Sequence, residues 1–214
     1  MELVFFVADV NGEVDNSRSG YLEEMQVVEP KNYPDPGRPA YCGRCATQME
    51  IVERGGRHRP VCPQCGWTYF ARPAFGAAVI IEDEGRILLV RRDHEPYAGW
   101  WMLPAGFVEY DEWAAETAVR EALEETGLEV RLAKLHGLYY GTDDPRNPSH
   151  LAVYRAEVVG GQLGAGDDAA ALAFFSPDEV PRNIAFHGQR LAIAAWISAK
   201  LGTPVDPASY GEDG

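Results

Sequence analysis

Basic residues are scarce in this chain. Only 19 lysines and arginines stand against 33 aspartates and glutamates in 214 residues, leaving a formal charge of -14 at pH 7. Non-specific nucleic-acid binding needs a surface that neutralises phosphates, so this balance argues against that class. It leaves room for work on an anionic nucleotide, provided metal ions carry the compensating charge. Long apolar runs are lacking as well: none approaches the roughly 20 residues of a membrane-spanning helix. The opening MELVFFVADVNGEV carries acids where a secretory signal needs a basic segment, and its apolar run is short. These absences point to a cytoplasmic setting with no membrane partner.

Cysteine is confined to four positions, and their placement is informative. Cys42 and Cys45 form one CxxC pair, Cys62 and Cys65 another, with 16 residues between the pairs. That spacing lies in the range of a four-cysteine zinc ribbon. Each CxxC lets a tight turn aim two thiolates at one ion. Gly43 and Gly66 stand where such knuckles need them, and Gly55 and Gly56 supply a hairpin turn between. Four thiolates leave no open coordination position, so Zn2+ here is expected to be structural. The rival reading is two disulfides or a redox pair. A ribbon of this size has almost no core, and zinc binding contributes on the order of 10 kcal/mol to the folding of such units.

Between the knuckles lies the densest basic cluster of the chain: Arg54, Arg57, His58 and Arg59. It reads either as a nucleic-acid contact or as a polar hairpin tip. The second reading is preferred, because no aromatic interleaving accompanies the cluster in sequence.

With 46% apolar residues the chain can bury a globular core beside this small appendage. The sharpest signal inside it is GFVEYDEWAAETAVREALEETGL, residues 106–128. Glu121, Glu124 and Glu125 are spaced i, i+3 and i+4, which places them on one helical face. Ala115, Ala118, Val119, Ala122, Leu123 and Thr126 are predicted to form the face that packs inward. Like charges at i,i+4 destabilise a helix, and no basic residue occurs from 121 to 129. Such a cluster calls for a counter-charge, and hard divalent cations bound through oxygen supply one.

This stretch resembles the Nudix box, G-x5-E-x7-R-E-U-x-E-E-x-G-U with U aliphatic. Gly106 opens it, Glu112 is the first acid, Arg120 and Glu121 are the R-E pair, and Ala122 fills the first aliphatic slot. Glu124 and Glu125 are the E-E pair, followed by Gly127 and Leu128. The resemblance implies that Glu121 and Glu125 ligate Mg2+ or Mn2+, with Glu124 close by and the carbonyl of Ala105 a further ligand. It also implies that Glu112 pairs with Arg120 in a mainly structural role. The ribbon followed by GWTYFARPAFGAAVII is similar to the zinc-ribbon group of the family, the NADH, ADP-ribose and FAD pyrophosphatases. There the ribbon braces the fold and a homodimer.

The resemblance further implies an α/β fold, a Nudix α/β/α sandwich with a mixed sheet, over residues 71–202. Before it come an N-terminal segment and linker (1–39) and the ribbon (40–70). After it, residues 203–214 read as a disordered tail. Runs at 75–81 and 86–92 flank EDEG as a hairpin. Strand-like EVRLAKLHGLYYG, HLAVYRAEVV and ALAFF follow, then an amphipathic helix over 187–200. The apolar VFFVADV near the start reads as a strand or a disordered end.

Substrate contacts are harder to place. HGLYYGTDDPRNPSHLAVY lacks the SQPWPFPxS-type motif of NADH pyrophosphatases, so NADH is not the first choice. Pro145 stands loosely where ADP-ribose pyrophosphatases often carry a proline. Arg91 and Arg92 end a strand near the site, and alternation lets one of them face inward; Arg91 is taken. Tyr140 and Gly106 complete the substrate-binding set, with Tyr139, Trp100 and Trp101 as further aromatics. Relatives usually carry an acid where this chain has Ala171. Asp167, Asp168, Asp143 and Asp144 are the substitutes or turn residues nearby, so the general base is left unassigned. The function implied is a metal-dependent pyrophosphohydrolase acting on a dinucleotide or nucleotide sugar. A nucleotide sensor without turnover and the removal of a nucleotide cap from RNA are the alternatives.

Overall fold

A computed structural model describes residues 38–141, 143, 148–166 and 169–211. The readings made for VFFVADV and the linker up to residue 37, and for Asp144, Pro145, Asp167 and Asp168, fall outside the described residues.

The cysteine pairs bracket a two-stranded antiparallel hairpin, β1 (Glu50–Arg54) and β2 (Arg57–Val61), turned by Gly55 and Gly56 at φ 61° and 71°. Left-handed backbone of that kind favours glycine, which is why this tip holds two of them. Thr68 extends the hairpin by bridging to Val61, and the Tyr69 amide donates to the Pro60 carbonyl. Little of the hairpin is buried beyond Pro60 and Val61.

A seven-stranded mixed sheet follows, in the order β5-β4-β3-β8-β7, with β6 also on β3 and β9 also on β4. Its strands are β3 (Ala74–Asp83), β4 (Arg86–Arg92), β5 (Trp101–Met102), β6 (Ala105–Phe107), β7 (Leu128–Gly141), β8 (Ser149–Gly161) and β9 (Ala169–Phe175). The turn between β3 and β4 falls at Glu84 and Gly85, both at positive φ, as a two-residue hairpin requires. The strand β3 pairs with β8 in parallel, and the other strand pairings are antiparallel.

Alternation along β3 builds two cores. Ala78 and Ile80 turn to one side, where Leu89, Val153, Ile193, Trp196 and Ile197 join them under helix α2 (His187–Leu201). Val79 and Ile81 turn to the other, against Leu88, Leu128, Val130 and Ala122 of helix α1 (Ala114–Thr126). The sheet between two helical layers is the α/β/α sandwich expected.

Two readings need correction. On α1 the buried residues are Thr117, Ala118, Ala122 and Thr126, whereas Val119 and Leu123 are 36% and 49% exposed. The apolar positions span more of the helix than the sheet can cover, so the edge of that stripe faces out. Residues 203–211 are also ordered, not a loose tail. Pro207–Tyr210 forms a 3-10 turn capped by Asp206, and Tyr210 is buried in the α2-side core. The Tyr210 carbonyl accepts from the Ile184 amide. Tyr210, with Val205 packed on the same core, supplies the apolar area that anchors a segment whose polar composition reads as disorder.

Candidate active site

Gly127 stops α1 in left-handed backbone (φ 71°), and its amide returns to the Leu123 carbonyl. At the other end the Glu116 carboxylate takes the Trp113 amide at 2.8 Å, half of a capping box. So fixed, α1 presents its acids to the loop between β6 and itself. Arg120 organises them. Its Nε and Nη2 meet the two oxygens of Glu112 at 2.7 and 2.9 Å in a forked pair. Its Nη1 donates to Glu121 at 2.6 Å and to Glu124 at 2.9 Å, and Nη2 reaches the Phe107 carbonyl. Thr117 Oγ1 adds a bond to Glu112. Hydrogen bonds from Arg120 and Thr117 hold the Glu112 carboxyl down at about 2.

The three box glutamates have different surroundings. Glu124 is 57% exposed and faces Arg120. The Glu121 side chain is largely enclosed, and burial pushes its carboxyl up despite the pull of Arg120. Glu125 accepts the Ala105 amide at 2.9 Å. The pairing of Ala77 with Gly106 in β3 and β6 brings that backbone under the helix. Glu121, Glu125, Ala105 and Gly106 all line one cavity of about 1110 Å3. Among the described residues, one group of three or more metal-type side chains has its ligand atoms within 4.8 Å of one another. That group is the four cysteines.

The far wall of the cavity contains one residue that the sequence pointed to, Arg92. The wall also holds His94, Tyr97, Phe186 and His150. Tyr97 and Phe186 sit edge to face at 5.0 Å, with the Arg92 guanidinium 4.9 Å over the Phe186 ring. Both aromatics have positive φ, 68° and 59°, a sparsely populated state for such residues. Arg92 is the inward arginine of the pair; Arg91 is exposed and its strand neighbour is Ala171. A register shift between them turns the end of β4. Tyr140 stands at the side, 5.4 Å from the ring of His150. Trp101 and Tyr139 pack on the core, and the Trp100 ring lies 5.0 Å from that of Tyr97, tilted by 55°. Asp143 spends both carboxylate oxygens on the His187 amide (2.9 and 2.8 Å) and also accepts from Tyr97 Oη. It therefore ties the wall to the start of α2. Nothing in the spacing of Asp143, Tyr97 and Phe186 signals that they meet; only the tertiary fold joins them.

In the ribbon, Cys42 Sγ lies 3.6 Å from Cys65 Sγ and Cys45 Sγ 3.5 Å from Cys62 Sγ. Metal–sulfur bonds of about 2.3 Å in a tetrahedron put sulfurs about 3.8 Å apart, so the group fits one metal ion. The Arg44 and Cys65 amides point at Cys42 and Cys62 sulfur. Hydrogen bonding with the side chain and backbone of Thr47 draws the Cys45 thiol down to about 6. The Trp67 amide favours thiolate at Cys65 also, but burial and the three other thiols outweigh it and hold that group up at about 11.

The NUDIX domain family matches residues 71–196, more than half of the chain. The chain belongs to the Nudix family. Within this family it is 40% identical over 123 residues to an ADP-ribose pyrophosphatase of Methanocaldococcus jannaschii, covering 57% of this chain and 72% of that protein. It is 32% identical over 146 residues to the NAD-capped RNA hydrolase NudC of Chromobacterium violaceum, covering 66% of this chain and 51% of the relative. The match thus spans about half the length of that NudC. Among solved structures, a Nudix hydrolase of Nitrosomonas europaea is 27% identical, with a TM-score of 0.67, covering 78% of this chain and 96% of that one. In this Nudix hydrolase the box thus runs from β6 through α1 to the start of β7, with Glu121 and Glu125 lining the cavity.

Proposed function

We propose that this Nudix hydrolase is a metal-dependent pyrophosphohydrolase. It splits a nucleoside diphosphate linked to a second moiety, with ADP-ribose first and FAD or NADH after it, into two monophosphates. One observation carries the reading: Glu121 and Glu125 face a cavity of about 1110 Å3 whose far wall is Arg92, Tyr97 and Phe186. Carboxylate and carbonyl oxygen suit hard cations, so Glu121, Glu125 and the Ala105 carbonyl would hold Mg2+ or Mn2+, with Glu124 at the edge. Bound there, such ions would polarise phosphoryl oxygens and acidify a water.

The rest is positioning by the chain, as phosphoryl transfer demands. Glu112 and Arg120 fix the helix and the box loop. Arg92 faces a phosphate, and the aromatic pair offers a base a surface to stack on. Ala171 leaves the strand opposite Arg91 without an acid, and Asp143 is engaged with α2, so the general base stays unassigned. Zn2+ in the four-cysteine site is structural. We place the enzyme in the cytoplasm as a homodimer.

The test is a hydrolysis panel of ADP-ribose, FAD, NADH, NAD+ and NAD-capped RNA with Mg2+, with Mn2+ and with chelator. Metal-dependent release of AMP from ADP-ribose, lost in Glu125→Gln with the fold intact, is the expected result. No turnover of any member by the folded protein would overturn the reading in favour of a sensor. Removal of a nucleotide cap from RNA is the second reading, favoured by the relatives named NAD-capped RNA hydrolase.

A further inference from the structure

The basic cluster of the ribbon is not a bare hairpin tip. In the register of β1 and β2, Arg54 lies opposite Arg57 and Val52 opposite Arg59. Residues directly opposite share a face, and alternate residues along a strand return to it. Arg54, Arg57 and Arg59 therefore stand on one face, and His58 on the other. The segment after the second knuckle extends the same face, because Thr68 bridges to Val61. Two contacts bear this out: Arg54 Nη1 donates to Thr68 Oγ1 at 2.9 Å, and the Arg59 guanidinium lies 4.7 Å over the Phe70 ring. Phe70 is 56% exposed.

The aromatic partner missing from the linear cluster is thus supplied across the metal knuckle, 11 residues beyond Arg59. Residues 40–70 hold four arginines against two glutamates, in a chain that elsewhere is strongly acidic. A local cationic stripe beside an open ring is the combination that grips a phosphate backbone while a base stacks. Flat double helix is a poor fit, since a ring can stack only on bases that are already unpaired. The face is joined to the cavity wall by a short stretch of chain. Phe70 precedes Ala74 by four residues, and Ala74 lines the cavity, so the two are within about 14 Å along an extended chain.

We infer that this ribbon face, Arg54, Arg57 and Arg59 with Phe70, is a binding site for single-stranded nucleic acid. The net charge of the whole chain excludes a generally basic surface but not a local one. The inference goes beyond the hydrolase reading and stands or falls separately from it.

The test uses the full, zinc-loaded protein and fluorescein-labelled 20-nucleotide oligomers, RNA and DNA of one sequence, in a salt titration by anisotropy. The parent is expected to bind at low salt and to weaken as salt rises. Replacing Arg57 and Arg59 together by Ala should lower the log–log salt slope by about 1.4, at about 0.7 for each phosphate no longer neutralised. Phe70→Leu keeps apolar volume but removes the ring, and should weaken binding about fivefold or more with the slope unchanged. Zinc content reports on folding; should the double variant lose zinc, Arg57→Ala alone at the exposed tip takes its place. Absence of binding by the parent at low salt, or variants that bind as the parent does, would overturn the site. ADP-ribose hydrolysis by the same samples should be unchanged. Oligomer binding without any hydrolysis would count against the hydrolase reading and leave this site standing.

Discussion

The β-carbon that Gly106 lacks would overlap Oε1 of Glu121. The first glycine of the box is therefore the space into which a box carboxylate folds. Gly106→Ala should displace that carboxylate by about an ångström or more while leaving the sheet intact, since the atom struck ends a side chain. Misplacement on this scale can lower a rate by about 10^2-fold. We expect that loss in kcat, with the melting temperature near that of the parent. A variant with full kcat would show that the Glu121 position is not critical.

Arg120 holds Glu112 in a fork and Glu121 and Glu124 with its third nitrogen. A lysine cannot reproduce a fork. Arg120→Lys should destabilise the protein by about 1–2 kcal/mol, reduced from the cost of a fully buried pair because the guanidinium is partly exposed. Urea unfolding measures this, and an unchanged midpoint would contradict the geometry described.

Glu82 gathers α2 onto the end of β3. It accepts from Trp196 Nε1 and Lys200 Nζ, both at 2.6 Å, and from Arg155 at 3.1 Å. Burial alone would raise its carboxyl, but Lys200, Trp196 and Arg155 outweigh it and lower it. A lowered folded value means stability that is present above the ordinary value near 4.5 and lost as pH falls through the folded one. Glu82→Gln should cost about 2 kcal/mol at pH 7. The gap between parent and variant should narrow below about pH 4, read by urea unfolding at both pH values. A gap that widens on acidification would reverse the assigned sign.

The hairpin buries little, and the four sulfurs at its base fit one metal ion. Stripping the metal with a strong chelator should abolish amide-exchange protection across residues 50–61, since metal contributes on the order of 10 kcal/mol to such units. Protection in β3, β4 and β8 should persist, because the two cores lie against α1 and α2 and not the ribbon. Protection lost everywhere at once would mean that the ribbon and the sheet fold as one unit.

How much was legible depends on whether a feature is local. The spacing of Glu112, Arg120, Glu121 and Glu125, the stop at Gly127 and the paired cysteines are short-range patterns, and each lies in a helix, turn or knuckle of the kind those patterns imply. The far wall is non-local. Tyr97, Asp143 and Phe186 come from three separate connections, and a count along the chain cannot show them in contact. Arg91 and Arg92 fell between the cases: alternation leaves one inward arginine, but a shift in register decides which. Val119 and Leu123 failed for a related reason, since helix periodicity marks an apolar stripe without saying how wide the sheet beneath it is.

Residues 183–185 run between two partners. Trp101 bonds to Asn183 and Ala185 on one side, and Tyr210 takes the Ile184 amide on the other, with Gly211 bridging to Asn183. The next residue is Phe186, in the cavity wall. Seen this way, residues 206–211 are a latch. A protease that trimmed the protein back to Gly202 would spare every glutamate of the box and every cysteine, yet it would remove one of the two partners of the strap on which Phe186 hangs.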